Sequence, residues 1–228
     1  NGVVTKDTPF NAAFAQYIAP KLTKINATYW SLWGNNTSYD LDGGSYKSVP
    51  VDAPNIDKSY NLIIASFIVT DSKGNYVLAT SDPGAQTPQT PYYSDAQMIS
   101  MVNQVKAQNR KVIISLGGQF FHLQMTTDAD RANFVAQVKN IVDKYGFQGI
   151  DLDLEGSATG ASTKLLGDAV KEVVDHYRSQ GKEFLLTMAP EWLYIAPARY
   201  GCGQWGSGSY VNTFYIELIK EIGVDRIS

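Results

Sequence analysis

The sequence has 228 residues, of which 44% are hydrophobic and 18% are charged, so the chain can bury the core of one large domain or two small ones. A net charge of −3, without any run of Lys or Arg, argues against nucleic acid as a partner. The longest apolar run, LIIASFIV, is too short to span a bilayer, so we expect no membrane partner, and the single cysteine, Cys202, excludes an internal disulfide.

The first part of the chain, residues 1–24, predicts an N-terminal segment with a short helix, because apolar residues recur at helical spacing over residues 10–23. Beyond it, apolar segments typical of strands alternate with helical segments. The predicted strands cover residues 25–33, 61–69, 111–117, 149–155, 183–189 and 224–228. The predicted helices cover residues 95–109, 128–146, 164–181 and 210–223, and the last three end on glycine, the usual left-handed cap.

This alternation predicts an α/β fold in which helices cover a parallel sheet. Two architectures fit, the (β/α)8 TIM barrel and the doubly wound open sheet. The barrel is favoured, because no glycine-rich phosphate fingerprint follows the first strand and polar residues gather at the carboxyl ends of the strands. The segments make only about five and a half βα units. Either the rest of a barrel lies outside this sequence, or the fold is not a closed barrel.

Two long polar segments, residues 34–57 and 71–94, follow the first two predicted strands. Loops of this length in a compact domain are usually functional or disordered. Both segments contain tyrosines, which would suit a groove for an extended ligand.

The stretch GIDLDLEG, residues 149–156, places acids at every second position. On a strand, Asp151, Asp153 and Glu155 would share one face, and the intervening aliphatic residues would share the other. Burial of neighbouring carboxyls pushes their pKa values apart, so one can hold a proton near neutral pH and act as a general acid. Two other readings are a solvated acidic edge strand and a site where carboxylates bind Mg²⁺ or Ca²⁺.

These residues resemble a known family. GFQGIDLDLEG is similar to the D-G-x-D-x-D-x-E signature of glycoside hydrolase family 18, which contains chitinases and endo-β-N-acetylglucosaminidases. KVIISLGG, residues 111–118, resembles the S-x-G-G motif of that family, and TYWSLWG, ASF and MAPE occur in the matching order. The resemblance covers residues 25–228 and implies an incomplete (β/α)8 catalytic domain. One departure is Gln148, where the family usually has a carboxylate.

The resemblance implies a role for each acid. Glu155 would be the general acid and later the base, while Asp153 would orient the 2-acetamido group of the substrate and stabilise an oxazolinium ion. Asp151 would share a proton or a hydrogen bond with Asp153. Because the nucleophile belongs to the substrate, the enzyme would be retaining without a second carboxylate opposite the acid. The implied substrate contacts are Tyr29, Phe67, Ser115, Gly117, Gly118, Met188, Glu191 and Trp192.

The remaining candidates are weaker. Trp192 and Trp205 would stack on sugars or pack in the core, and His122 and His176 are ordinary surface residues without metal-ligand spacing. No cofactor or metal is implied. The family also has a pocket tyrosine and a pocket tryptophan on later strands, which would lie beyond Ser228. We therefore expect a further segment or chain to complete the barrel.

The expected function is that of a secreted chitinase acting on chitin or chitooligosaccharides, since chitin lies outside the cell. One alternative is an endo-β-N-acetylglucosaminidase that acts on N-glycans. Another is a non-catalytic, lectin-like relative on the same fold. Such relatives commonly lose an acid, so the intact Asp151, Asp153 and Glu155 favour an enzyme.

Overall fold

The computed structural model describes residues 24–33, 37–40, 45–48, 51–81, 91–118, 121–155, 161–191 and 214–228. Within these residues it contains eight strands: β1 Ala27–Ser31, β2 Thr37–Asp40, β3 Ser45–Ser48, β4 Leu62–Thr70, β5 Tyr76–Leu78, β6 Lys111–Gly117, β7 Gly149–Asp153 and β8 Leu185–Met188. The same residues contain four α-helices, α1 Asp95–Ala107, α2 Asp128–Tyr145, α3 Thr163–Arg178 and α4 Phe214–Ile222. The helix predicted for residues 10–23 lies outside the described residues. None of the described helices is long and apolar enough to cross a membrane.

Five of the predicted strands form one parallel sheet in the order β1-β4-β6-β7-β8. Helices α1, α2 and α3 connect the last four of these strands in turn. Each strand therefore lies beside the next one along the chain, which is the order of a (β/α)8 barrel and not the reversed order of a doubly wound sheet. Two features fall in the long polar loops and were not predicted: β5 pairs antiparallel with the end of β4, and β2 and β3 form a separate hairpin.

The strand predicted for residues 224–228 is wrong over its first three residues, which form a 3₁₀ turn. Arg226, within this turn, makes an ion pair with Asp175 of α3 at 2.9 Å, which holds the segment against the helix. Strand-like pairing begins at Ser228, whose N–H donates to the carbonyl of Leu186 at 2.8 Å. A five-residue apolar pattern is too short to separate a strand from a turn.

The helices begin and end at residues suited to their positions. A hydroxyl side chain accepts a hydrogen bond from the first turn of α1, α2 and α3, at Ser94, Thr127 and Ser162 respectively. Helix α2 ends at Gly146 in the left-handed conformation, with φ of 75°, as predicted.

Alternation along the strands separates a helix side from an interior side. The helix side joins the helices in one large core, to which the sheet contributes Ile63, Ala65, Val112, Ile114, Leu116, Ile150 and Leu152. The interior side carries a small apolar cluster toward the amino ends of the strands, formed by Leu62, Ile64, Ile113 and Leu185. The next interior positions form one polar row in strand register: Ser31, Ser66, Ser115, Asp151 and Thr187. The acid face predicted from the sequence therefore points into the barrel.

The sheet is strongly curved. Strands β1 and β7 are separated by β4 and β6, so they would lie about 14 Å apart in a flat sheet. The Tyr29 hydroxyl on β1 nevertheless donates to Oδ2 of Asp151 on β7 at 3.0 Å. Two side chains can meet across this distance only if the sheet curls around its interior face, as in a barrel.

A buried arginine ties the segment before β4 to the sheet. Arg110, which directly precedes β6, is 5% exposed. Its guanidinium donates to five backbone carbonyls at 3.2 to 3.5 Å, those of Ala53, Pro54, Ile56, Asp57 and Tyr60. These acceptors compensate the desolvation of the charge, and the two terminal nitrogens of the planar guanidinium reach all of them, while the Nε–H donates to the side-chain oxygen of Gln108.

Replacing Arg110 with Lys is expected to lower the free energy of unfolding by about 2–4 kcal/mol, because a single ammonium leaves several buried carbonyls without a donor. Urea unfolding followed by tryptophan fluorescence would measure the change. Arg131→Lys is the matched control, since Arg131 makes an ion pair with Glu172 at 2.7 Å on the surface and we expect a change below about 1 kcal/mol. Equal decreases in the free energy of unfolding of the two variants would contradict the inference that the buried contacts of Arg110 stabilise the fold.

Candidate active site

Asp151 lies in the polar row and is held by three hydroxyl groups. It is 1% exposed. Its Oδ2 accepts hydrogen bonds from Ser115 Oγ at 2.7 Å and from the Tyr29 hydroxyl at 3.0 Å, and its Oδ1 accepts one from Thr187 Oγ1 at 2.5 Å. Strand β7 is an interior strand between β6 and β8. The reading of GIDLDLEG as a solvated edge strand is therefore wrong.

Asp153 and Glu155 follow on the same face as the chain leaves the barrel. Burial and the charge of Asp151 raise the pKa of Asp153 to about 6, and the charges of Glu155 and Glu191 contribute further. Burial, followed by the charge of Glu191, also raises the pKa of Glu155. Carboxyl groups with raised pKa values hold a proton at mildly acidic pH and can donate it to a bound molecule.

The site shows features of acid–base chemistry more than of cation binding. Among the residues that the structure describes, no group of three or more His, Cys, Asp or Glu side chains is placed to hold a metal ion. The oxygens of Asp151 already accept hydroxyl hydrogens, which oppose a cation at the same positions. His176 lies on α3 with its ring 3.0 Å from the Gln180 amide, as expected of a helix-face residue.

The end of β6 lies against the acid strand without a side chain between them. Gly117 has φ of 143°, and a Cβ there would lie 1.8 Å from the carbonyl oxygen of Asp153. The N–H of Gly118 donates to that same oxygen at 2.8 Å. Gly118 has φ of 77°, and a Cβ there would lie 2.9 Å from the Phe67 ring. Both predicted glycines are thus required by close approach and by backbone conformation.

Three aromatic side chains line one side of the site. Tyr29, which is 44% exposed, has its ring 6.5 Å from that of Phe67. Phe67 in turn stacks on Trp33, with ring centroids 6.0 Å apart and an interplanar angle of 28°. Trp33 was not among the predicted site residues. It lies four residues after Tyr29, an even spacing that places both side chains on the same face of an extended segment. Such a row can stack on flat ligands such as sugar rings.

The structure places Met188 outside the site. Strand register pairs Asp151 with Thr187 and Leu152 with Met188, so Met188 lies on the helix side and packs on the large core. Thr187, which the sequence analysis missed, takes the interior position and contacts Asp151. Sequence alternation alone could not choose between the two residues, because the choice depends on the register of β8 against β7.

Glu191 lies close enough to the acids for its charge to act on Asp153 and Glu155, as described above. Its predicted location near the site is consistent with this effect. Trp192 and Trp205 lie outside the described residues.

Tyr215 contacts the acid strand from helix α4 and was also missed. Its hydroxyl donates to the carbonyl of Leu152 at 3.0 Å and accepts from the N–H of Leu154 at 2.7 Å. The side chain is 0% exposed. No local pattern could have identified it, because the contact joins segments more than sixty residues apart.

Gln148 lies at the opposite end of β7 from Asp153 and Glu155. Its side-chain oxygen accepts a hydrogen bond from the N–H of Val112 at 3.4 Å, and its own N–H donates to the Val112 carbonyl at 2.8 Å. The amide therefore fastens β7 to β6, as an amide can, and does not contact the acids.

The chain is similar in sequence to known proteins. A family profile described as "Glycosyl hydrolases family 18" matches residues 25–204. A chitinase of Enterococcus faecalis is 32% identical over 176 residues, which cover 76% of this chain and 47% of the relative. Chitinase Chi52 of Paenibacillus xylanexedens is 30% identical over 204 residues, which cover 82% of this chain and 34% of the relative.

The same likeness holds among solved structures. The crystal structure of a family GH18 chitinase from Chromobacterium violaceum superposes with a TM-score of 0.62 and 28% identity, covering 87% of this chain and 47% of that one. This chain thus spans about half the length, or less, of these relatives.

Proposed function

Since the chain belongs to glycosyl hydrolases family 18, we propose that it carries the acid strand of a chitinase, which hydrolyses β-1,4 bonds between N-acetylglucosamine units. The observation that carries the proposal is the acid series along this segment: the buried Asp151 and then Asp153 on the interior face of β7, followed by Glu155 two residues beyond the end of the strand. An extracellular location follows from the proposed substrate.

In the proposed mechanism, Glu155 donates its proton to the glycosidic oxygen as the bond to C1 breaks. The carbonyl oxygen of the substrate's own 2-acetamido group attacks C1 and forms an oxazolinium ion. Asp153 faces the acetamido nitrogen and stabilises the positive charge that develops there. Water then attacks C1 while Glu155 accepts a proton from it, so the product keeps the β configuration.

The charges around the acids support these roles. The raised pKa of Glu155 favours the protonated form needed for the first step. The pKa of Asp153, raised to about 6, lets this residue exchange a proton with its surroundings near the working pH of many enzymes. Asp151, fixed by Ser115, Tyr29 and Thr187, lies two residues before it on the same face of β7 and contributes to raising its pKa.

The proposal is tested by the purified protein with two matched substrates, N-acetylated chitopentaose and the same pentamer without acetyl groups, followed by ¹H NMR. We expect cleavage of the acetylated pentamer alone, with the β-anomer of the new reducing end formed first, because the acetamido group is the nucleophile. Equal cleavage of both pentamers, or an α-anomer formed first, would contradict the mechanism. Release of glycan from a high-mannose glycoprotein, with chitopentaose left intact, would instead favour an endo-β-N-acetylglucosaminidase. Binding of chitopentaose without cleavage would favour a lectin-like relative.

A further inference from the structure

Strand β7 loses its regular neighbour at the point where the partly buried acids begin. On the β8 side, the N–H of Ala189 donates to the carbonyl of Leu152 at 2.9 Å. In a regular parallel pair, the carbonyl of Ala189 would then accept from the N–H of Leu154. That N–H instead donates to the hydroxyl of Tyr215.

The Tyr215 hydroxyl takes the place of the missing strand neighbour. One oxygen atom satisfies the carbonyl of Leu152 at 3.0 Å and the N–H of Leu154 at 2.7 Å, the two backbone groups that flank Asp153. The hydroxyl and both backbone groups are buried. Without the hydroxyl, the N–H of Leu154 would have no acceptor in a place shielded from water, and this loss is costly enough to shift the backbone.

From this contact we infer that Tyr215 is a positioning residue for Asp153 and Glu155. Its hydroxyl holds the backbone on both sides of Asp153 and directly before Glu155, so the direction of both carboxyls depends on it. The expected effect of Tyr215 on catalysis rests on the proposed function, whereas its effect on the orientation of the two carboxyl groups does not.

The chain offers a matched control on the neighbouring helix. Tyr177 of α3 is also buried, at 2% exposure. Its hydroxyl donates to the Asp143 carboxylate at 2.9 Å and to the Lys139 carbonyl at 3.2 Å, both on α2. Tyr177→Phe removes the hydroxyl of another buried tyrosine, whose partners lie on α2 and not on β7, so it reports the general effect of such a loss.

The test compares Tyr215→Phe with Tyr177→Phe by two readouts. In chitopentaose hydrolysis, Tyr215→Phe is expected to lower kcat about tenfold or more while KM changes less than about threefold, because the substrate contacts remain and only the acid geometry is lost. Tyr177→Phe is expected to leave kcat within about twofold of the parent protein. A fall in kcat no larger in Tyr215→Phe than in Tyr177→Phe would overturn the inference.

The second readout does not depend on hydrolysis. In protein with ¹³C-labelled carboxyl groups, the Glu155 signal, assigned by its loss in Glu155→Gln, is followed through a pH titration. Tyr215→Phe is expected to move its titration toward lower pH, since a released strand end gains water, and Tyr177→Phe to leave it in place. An unchanged Glu155 titration in Tyr215→Phe would overturn the inference even if the parent protein hydrolyses no chitin, and a parent protein without hydrolysis would count against the proposed function alone.

Discussion

Glu155→Gln is expected to reduce kcat for chitopentaose by about a thousandfold, since a glutamine amide cannot donate the proton that the leaving sugar requires. The side chain keeps its size and its position just beyond the end of β7, so the affinity for the oligosaccharide should change by less than about threefold. Steady-state hydrolysis gives the first quantity, and isothermal titration calorimetry with the inactive variant gives the second.

A change of leaving group makes this experiment specific to the acid. The 2,4-dinitrophenolate of a 2,4-dinitrophenyl glycoside leaves without protonation. Cleavage of this substrate should therefore be slowed far less by Glu155→Gln than cleavage of chitopentaose. Glu183→Gln is the control, because Glu183 pairs with Lys111 on the surface at the start of β6. If both substrates lost activity equally in Glu155→Gln, Glu155 would not be the proton donor.

Asp153→Asn is expected to lower kcat about a hundredfold and at the same time to stabilise the fold at neutral pH. The folded pKa of Asp153 is raised from 3.8 to about 6, so its ionisation opposes folding. Below about pH 4 the residue becomes protonated in both the folded and the unfolded state, so its charge no longer makes the parent protein less stable than the Asn variant. As pH rises from about 4 to 6 the unfolded state ionises first, and the parent protein loses stability that the Asn variant keeps.

Above pH 6 the variant should therefore be more stable by about 1–2 kcal/mol, a value discounted because Asp153 is only partly buried. Urea unfolding at pH 4 and at pH 8 measures the two ends of this window. Asp225→Asn, at an exposed position in the last turn of the chain, should change neither stability nor kcat. A stability gain for Asp153→Asn that is as large at pH 4 as at pH 8 would show that charge is not its cause.

The main outline of the fold could be predicted from the sequence because it depends on local patterns. Period-two alternation in residues 149–155 fixes which side chains share a face, and the order of strands and helices limits the topology to a barrel or a doubly wound sheet. The choice of the barrel is confirmed by the strand order and by the superposition on a solved family GH18 chitinase. The acid face follows from the same alternation, once β7 lies inside the sheet.

The parts that were missed depend on contacts between distant segments. Whether Thr187 or Met188 faces Asp151 depends on the register between β7 and β8, which the sequence of neither strand determines by itself. Tyr215 substitutes for a strand neighbour from a helix, and no periodicity signals such a contact. The turn at the end of the chain depends on Arg226 and its partner on α3, which outweigh a short apolar pattern.

The glycines at the end of β6 also bear on how this site can be re-engineered. Any side chain at Gly117 would overlap the backbone of Asp153, and one at Gly118 would displace the Phe67 ring and strain the backbone, so we expect few folded members from randomising either position. The neighbouring ring of Trp33 has no such backbone limit. Selection for altered ligand preference is therefore best directed at the aromatic side of the site, with Gly117 and Gly118 held constant.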